Sequence, residues 1–357
     1  MKSVPQRGSV WLLNLDNRYA QSRATRYRVV VLTSSPMKFA RTSALAGALL
    51  WGVTLLIRTG DSRETELIQK IFLLAVFVIV PLCLSLITAD EDWLALRIAV
   101  WLQPFAAVVC FVSFLIPQGM LAGVLSSVWL ATISFVALAG LLRIFFAESF
   151  VSYELSVSAG MLYLPIGGAW LVASRLGIQP LGFGDTIVLL TAIHFHFAGF
   201  AAPLLAGLAG RVVRDKQTAS RVVGLAATGI ILGTPLVAAG ITFSPAVALV
   251  GTAIVSLGLS LLAVIVLFYV VPATSSIVAK ALFFIASLSS IAAMVLACLY
   301  AYSIVTHTLV IDIPHMAMTH GLLNSFGFAL SSLIAWTLSP HQNIKPRQRE
   351  PFKQGVV

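Results

Sequence analysis

Two histidines, His194 and His196, lie inside one apolar stretch of the chain, residues 185–210 (DTIVLLTAIHFHFAGFAAPLLAGLAG). A third, His320, lies in a second apolar stretch and is followed four residues later by Asn324. An ionisable side chain is costly in hydrocarbon, so one that is found there usually contacts a partner, a cavity or a ligand. Imidazole can transfer protons, form hydrogen bonds and coordinate metal ions. These residues are therefore the first candidates for a functional site.

The elements that position these side chains are predicted to be transmembrane helices. The chain has 357 residues, of which 59% are hydrophobic and 10% charged, whereas soluble domains carry about 25% charged residues. Apolar runs of about 20 residues, enough to cross a bilayer, recur along it. The sequence thus predicts an all-α, polytopic transmembrane helix bundle of about ten spans. The predicted spans are 42–58, 71–89, 94–116, 119–142, 155–174, 185–210, 221–240, 245–271, 278–304 and 314–338.

The distribution of Lys and Arg predicts the orientation of the bundle. Residues 1–41, 211–221 and 339–357 are all basic, and with ten spans they fall on one side, which the positive-inside rule makes cytoplasmic. We therefore expect a basic N-terminal tail at 1–41, a transmembrane domain at 42–338 and a basic C-terminal tail at 339–357. The net charge of +10 then reflects orientation and contact with the lipid bilayer, and no nucleic-acid partner is indicated.

The predicted depths of the histidines bring two helices together. At 1.5 Å per residue, His194 lies about 14 Å and His320 about 10 Å from the outer ends of their helices, which run in the same direction. His194 and His196 point about 200° apart unless the helix breaks. The sixth span has small residues on nearly every face, which predicts a central helix. We expect an outward-facing polar pocket between the fifth, sixth and tenth spans, lined by His194, His196, His320, Asn324 and Tyr163.

Three classes of function fit such a pocket. The favoured hypothesis is binding or transport of a small solute or ion. An alternative is a membrane enzyme or redox protein in which His194, His196 and His320 hold a metal ion or haem, and a third is a structural partner in a membrane complex. Whether the protein is an enzyme stays open, because no Walker loop, HExxH or GxSxG motif is present. The three cysteines are far apart in sequence and predict neither a disulfide nor a CxxC site.

Three blocks of the sequence resemble a known family. They are Leu190 to Phe200 (LTAIHFHFAGF), Gly160 to Asp185 (GMLYLPIGGAWLVASRLGIQPLGFGD) and Met318 to Phe328 (MTHGLLNSFGF). All three are similar to the YndJ-like family of bacterial membrane proteins, which is polytopic and uncharacterised. The resemblance implies the bacterial cytoplasmic (inner) membrane as the location, and it implies no activity. It covers the same helices that carry the histidines.

Overall fold

The histidine-bearing helices belong to an α-helical bundle that contains no strand within the residues described. The computed structural model describes residues 36–58, 61–89, 93–147, 151–308 and 310–339. The polytopic helical bundle that the sequence predicts is confirmed. The ten helices of these ranges are α1 (36–54), α2 (Arg63–Ile87), α3 (Leu94–Phe114), α4 (Met120–Phe145), α5 (Ser152–Leu176), α6 (Asp185–Val213), α7 (Gln217–Phe243), α8 (Pro245–Ala273), α9 (Ile277–Thr306) and α10 (313–337).

Eight of the helices in the described ranges, α2 to α9, are long and apolar enough to cross a bilayer. Helices α1 and α10, which were also predicted as spans, are not among these eight. The orientation of the termini stays a prediction. Most of the two predicted basic tails lies outside the described residues. The exceptions are residues 36–41, which form the first turns of α1, and residue 339, which follows α10.

Two helices form the centre of the bundle. Of the most apolar segment of each helix, 89% is buried in α2 and 72% in α6, against 28–50% in the other six. The central position of α6 agrees with its small residues on nearly every face. The central position of α2 has no such signal, because its Leu, Ile, Val and Phe residues would suit a lipid-facing helix equally well.

Glycines allow α5 to approach α6 closely. A methyl group on Gly167 would lie 2.8 Å from Nδ1 of His196 and 3.0 Å from the carbonyl oxygen of Ala192. At Gly207 it would lie 2.3 Å from a methyl carbon of Val157. Small residues at a crossing let two membrane helices make close van der Waals contact. This contact fixes the depth at which α6 presents its two histidines.

Three long helices share a local irregularity, a five-residue π-helical turn that ends two residues before a proline. The pairs are Ala75–Ile79 with Pro81 in α2, Phe197–Ala201 with Pro203 in α6, and Val266–Val270 with Pro272 in α8. Proline has no amide hydrogen, and its ring collides with a carbonyl of the preceding turn. A wider turn makes room for the ring, but it leaves backbone carbonyl groups without their helical donors.

Gln103 of α3 supplies the missing donor in α2. The amide of Val80 bonds back to the carbonyl of Ala75, and Pro81 has no amide hydrogen to offer to Val76. The Gln103 side chain, which is 2% exposed, donates to the Val76 carbonyl at 2.9 Å. Its own oxygen accepts a hydrogen bond from Ser43 of α1 at 2.6 Å. One side chain therefore joins three helices.

We expect Gln103→Leu to lower the free energy of unfolding by about 1–3 kcal/mol, because the buried Val76 carbonyl would have no donor. The thermal midpoint of the purified protein in detergent would measure this loss. Gln217→Leu, at an exposed position at the start of α7, is the matched control and should leave the midpoint unchanged. Equal midpoints for the two variants would contradict the role assigned to Gln103.

Candidate functional site

His194 of α6 and His320 of α10 lie side by side within the bundle. Their ring centroids are 6.4 Å apart, and the ring planes differ by 27°. The two helices thus bring their histidines into contact, while the depth of the pair in the bilayer stays a prediction. Two positively charged rings at this separation would repel by about 3 kcal/mol at an effective dielectric constant of about 20. The pair therefore carries at most one charge without a substantial penalty.

The hydrogen bonds of His320 define its protonation state. Its Nδ1 lies 2.9 Å from the carbonyl oxygen of Ala293 in α9, and a carbonyl oxygen can only accept. The proton is therefore on Nδ1, and Nε2 is the acceptor for the side-chain amide of Asn324 at 3.1 Å. His320 is neutral in this arrangement, and both of its ring nitrogens are occupied.

Helix α10 can carry these polar groups because they bond within the helix itself. Much of α10 is wound as wide π-helical turns, Ala317–Gly321 and Leu323–Leu330. The side-chain amide of Asn324 also donates to the His320 backbone carbonyl at 3.1 Å. The Ser325 hydroxyl donates to the Gly321 carbonyl at 2.7 Å. Side-chain donors thus replace part of the regular backbone pattern.

Two acceptors beside the His320 ring have no hydrogen bond to any described residue. His194 uses Nδ1 to donate to the Leu190 carbonyl at 2.7 Å, which leaves the Nε2 lone pair available. The side-chain NH2 group of Asn324 donates to Nε2 and to the backbone carbonyl of His320, which leaves the side-chain oxygen of Asn324 available. The His194 side chain is exposed although it lies nine residues from the start of its helix. We call His194, His320 and Asn324 the histidine cluster.

His196 lies on the opposite face of α6 and is fully buried. Its Nδ1 donates to the Ala192 carbonyl at 2.8 Å, and its Nε2 accepts a hydrogen bond from the indole of Trp129 in α4 at 3.0 Å. The ring of Phe72 from α2 packs edge-on against it at 5.1 Å. His196 therefore fixes the packing of three helices and is not part of the histidine cluster.

Tyr163 also lies outside the cluster, although α5 was predicted to contribute it. Its hydroxyl donates to the carbonyl of Ile231 in α7 at 2.9 Å. Pro235, four residues further on, has no amide hydrogen for that carbonyl. The Tyr163 ring packs edge-on against Phe195 at 6.3 Å. Tyr163 thus stabilises the proline-containing turn of α7.

The predicted three-histidine metal or haem site is not assembled in the described residues. No group of three or more His, Cys, Asp or Glu side chains converges there. Both nitrogens of His196 and His320 are occupied, which leaves only one nitrogen, on His194. The π-helical turn of α6 begins at Phe197, after both histidines rather than between them. His194 and His196 therefore keep the opposite directions of a regular helix.

A carboxylate marks the start of α10 on the side of the cluster. One Asp312 oxygen accepts from the backbone amide of His315 at 2.9 Å and contacts the His315 ring at 2.6 Å. The backbone hydrogen bond from His315 is the main cause that lowers the pKa of Asp312 below its usual value. The carboxylate is ionised at neutral pH and places a negative charge at this end of the helix.

An ion-pair network at the opposite end of α6 was not predicted from the sequence. Glu154 of α5 accepts hydrogen bonds from Arg211 of α6 at 2.6 Å and from Arg143 of α4 at 3.0 Å. Three helices are thus joined through one carboxylate. No motif marks these residues, since each comes from a different helix and Arg143 and Arg211 lie 11 and 57 residues from Glu154. The Trp129 partner of His196 was missed for the same reason.

The two histidines of α6 should respond differently to substitution. His196→Phe would leave the buried Trp129 N–H without an acceptor and should lower the free energy of unfolding by about 1–3 kcal/mol. His194→Phe removes an exposed side chain whose one hydrogen bond within the described residues is to its own helix, so its effect on unfolding should be small. Thermal unfolding in detergent measures both. Equal destabilisation would contradict the structural role of His196.

Comparisons with known proteins agree with the resemblance seen in the three sequence blocks. A family profile described as "YndJ-like protein" matches residues 70–328. The Bacillus subtilis (strain 168) protein called "Uncharacterized membrane protein YndJ" is 31% identical over 229 residues. That alignment covers 63% of this chain and 39% of the relative, so the chain spans about two fifths of that relative's length. No solved structure matches.

The matched residues include every member of the histidine cluster and both central helices apart from the first turns of α2. The family resemblance and the membrane helices therefore describe the same part of the chain. The protein belongs to the YndJ-like family of membrane proteins.

Proposed function

We propose that the histidine cluster binds a small hydrogen-bond-donating solute, neutral or singly charged, as a step in its passage across the bilayer. The observation that carries this proposal is the pair of free acceptors, Nε2 of His194 and the side-chain oxygen of Asn324, beside the His320 ring. Each of these atoms has a lone pair that can accept a hydrogen bond and that no described residue uses. A bound solute with N–H or O–H groups would provide the donor.

The chemistry of the cluster limits the class of solute. An anion would meet only lone pairs, because the available donors of His194, His320 and Asn324 are already used. A divalent metal ion usually takes three or more protein ligands, and no such group is assembled in the described residues. A primary amine or small ammonium ion matches two neutral acceptors. The ionised Asp312 at the start of α10 would attract such a cation.

The irregular helices support transport rather than fixed binding. The π-helical turn of α6 begins three residues after His194, and α10 carries π-helical turns on both sides of Leu322. Such turns are frequent at functional sites and at bends in helices. A small change in either turn would alter the distance between His194 and His320, and this would couple binding to a rearrangement of the bundle. We place the protein in the bacterial cytoplasmic (inner) membrane, as its relative's organism and name suggest.

Methylammonium is the probe for this proposal. We expect it to raise the thermal midpoint of the protein in lipid nanodiscs, since a ligand that binds only the folded state stabilises it by about 2.7 kcal/mol at 100 times its dissociation constant. His194→Phe and Asn324→Leu should abolish the increase. His315→Phe, at an exposed position outside the cluster, should retain it. Sodium chloride at equal ionic strength controls for salt.

Uptake of radiolabelled methylammonium into proteoliposomes then tests transport, with His194→Phe as the inactive reference. Equal increases in thermal midpoint and equal uptake for the wild type and His194→Phe would refute the proposal. Metal analysis and a visible spectrum on the same preparations test the redox alternative. A stoichiometric metal or haem band lost in both His194→Phe and His320→Phe would replace the solute with a cofactor.

A further inference from the structure

Protonation of His320 conflicts with the hydrogen bonds that the cluster makes. Its Nδ1 hydrogen already points at the Ala293 carbonyl, and its Nε2 accepts from the Asn324 NH2 group. A proton added to Nε2 would place two donors face to face across 3.1 Å. Rotation of the Asn324 amide by about half a turn relieves this conflict, because its oxygen can then accept from Nε2. The same rotation removes that oxygen from the ligand.

Protonation of His194 also removes an acceptor from the ligand, and it does so without any rotation of a side chain. Its Nδ1 is committed to the Leu190 carbonyl, so an added proton must go to Nε2. That nitrogen is the acceptor proposed for the ligand. Whichever ring takes the proton, the cluster loses an acceptor and gains a positive charge. Because the two ring centroids are only 6.4 Å apart, the second ring then resists protonation.

Among the residues described, the surrounding helices place no carboxylate beside His194 and His320 that would balance a positive charge on either ring. From α2, Ile71 packs beside Gly321, while Glu66 and Lys70 bond to each other at 3.6 Å and line a separate crevice with Phe111. The ionisable groups along and at the end of α9 are Lys280, Cys298, Tyr300, Tyr302 and His307. The nearest of them to Ala293 is Cys298, five residues away, and its thiol donates to the Ser256 hydroxyl of α8 at 3.4 Å. Along α6, Asp185 is nine residues from His194. Along α10, Asp312 is bound to His315 at the helix start.

We propose that the histidine cluster exchanges its ligand for one proton, so that solute and proton cross the membrane in opposite directions. This inference rests on the proposed function. The exchange balances in both mass and charge: the protonated pair and one monocation give the occupied pair and one released proton. The net charge of the site does not change, so the exchange of an ammonium-type solute for a proton is electroneutral.

Calorimetry of methylammonium binding to the protein in nanodiscs tests the exchange directly. Titrations at pH 4 to 8 in two buffers of different ionisation enthalpy count the protons released per ligand bound. We expect about one proton at the acid end, a number that falls towards zero as pH rises. The apparent dissociation constant should increase up to tenfold for each unit of pH lost in the acid range.

Glutamine variants identify the groups that carry the proton. The double variant His194→Gln, His320→Gln keeps amide acceptors but cannot titrate, so it should bind methylammonium without proton release and with an affinity independent of pH. His315→Gln should behave as the wild type. If the double variant does not give a monodisperse protein on size-exclusion chromatography, the wild-type proton count decides the question alone.

The outcomes separate this inference from the proposed function. Binding that requires His194 but releases no proton from pH 4 to 8 would overturn the exchange and leave the proposed function standing. Proton release that persists in the double variant would overturn the exchange at these histidines. Absence of methylammonium binding at every pH would overturn both. An imposed proton gradient that drives uptake into proteoliposomes with no change of membrane potential would support the exchange.

Discussion

Backbone carbonyl groups must find donors inside a bilayer, and this constraint determines much of the arrangement described above. Prolines and π-helical turns in α2, α6 and α8 interrupt the regular pattern of hydrogen bonds. Gln103 bonds to the carbonyl released near Pro81, and Tyr163 bonds to the one that Pro235 cannot reach. Tyr163, which was predicted to line the pocket, thus serves the backbone instead, as Gln103 does. The bundle depends on them because water cannot substitute for them in hydrocarbon.

The same constraint separates the histidines by role. His196 satisfies the Trp129 indole and the Ala192 carbonyl, and nothing is left for a ligand. His320 has no free nitrogen either, but its partners include Asn324, whose own oxygen stays available. His194 keeps one free acceptor, Nε2, and its side chain is exposed. The hydrogen bonds that a histidine already makes, rather than its depth, decide whether it can bind a solute.

Membership of the YndJ-like family connects these features to a shared sequence pattern but not to an activity. The match over residues 70–328 contains α3 to α9 in full and the cluster itself, while α1, the first seven residues of α2 and the last nine of α10 lie outside it. The Bacillus subtilis relative is named only as an uncharacterised membrane protein, and this chain corresponds to 39% of it. The chemistry of the cluster is therefore the basis for the functional proposal.

The amino-acid sequence by itself determined the class of fold and the positions of the helices, and it predicted a shared depth for His194 and His320. These follow from apolar run length, from breaks at Gly and Pro, and from a fixed rise per residue, all of which are local properties. Only the tertiary structure decided that Trp129 bonds to His196, that Ala293 bonds to His320 and that Tyr163 reaches α7. Such contacts depend on the rotation of each helix about its axis and on its choice of neighbours. In a chain this apolar, many rotations bury similar surfaces, so hydropathy cannot distinguish between them.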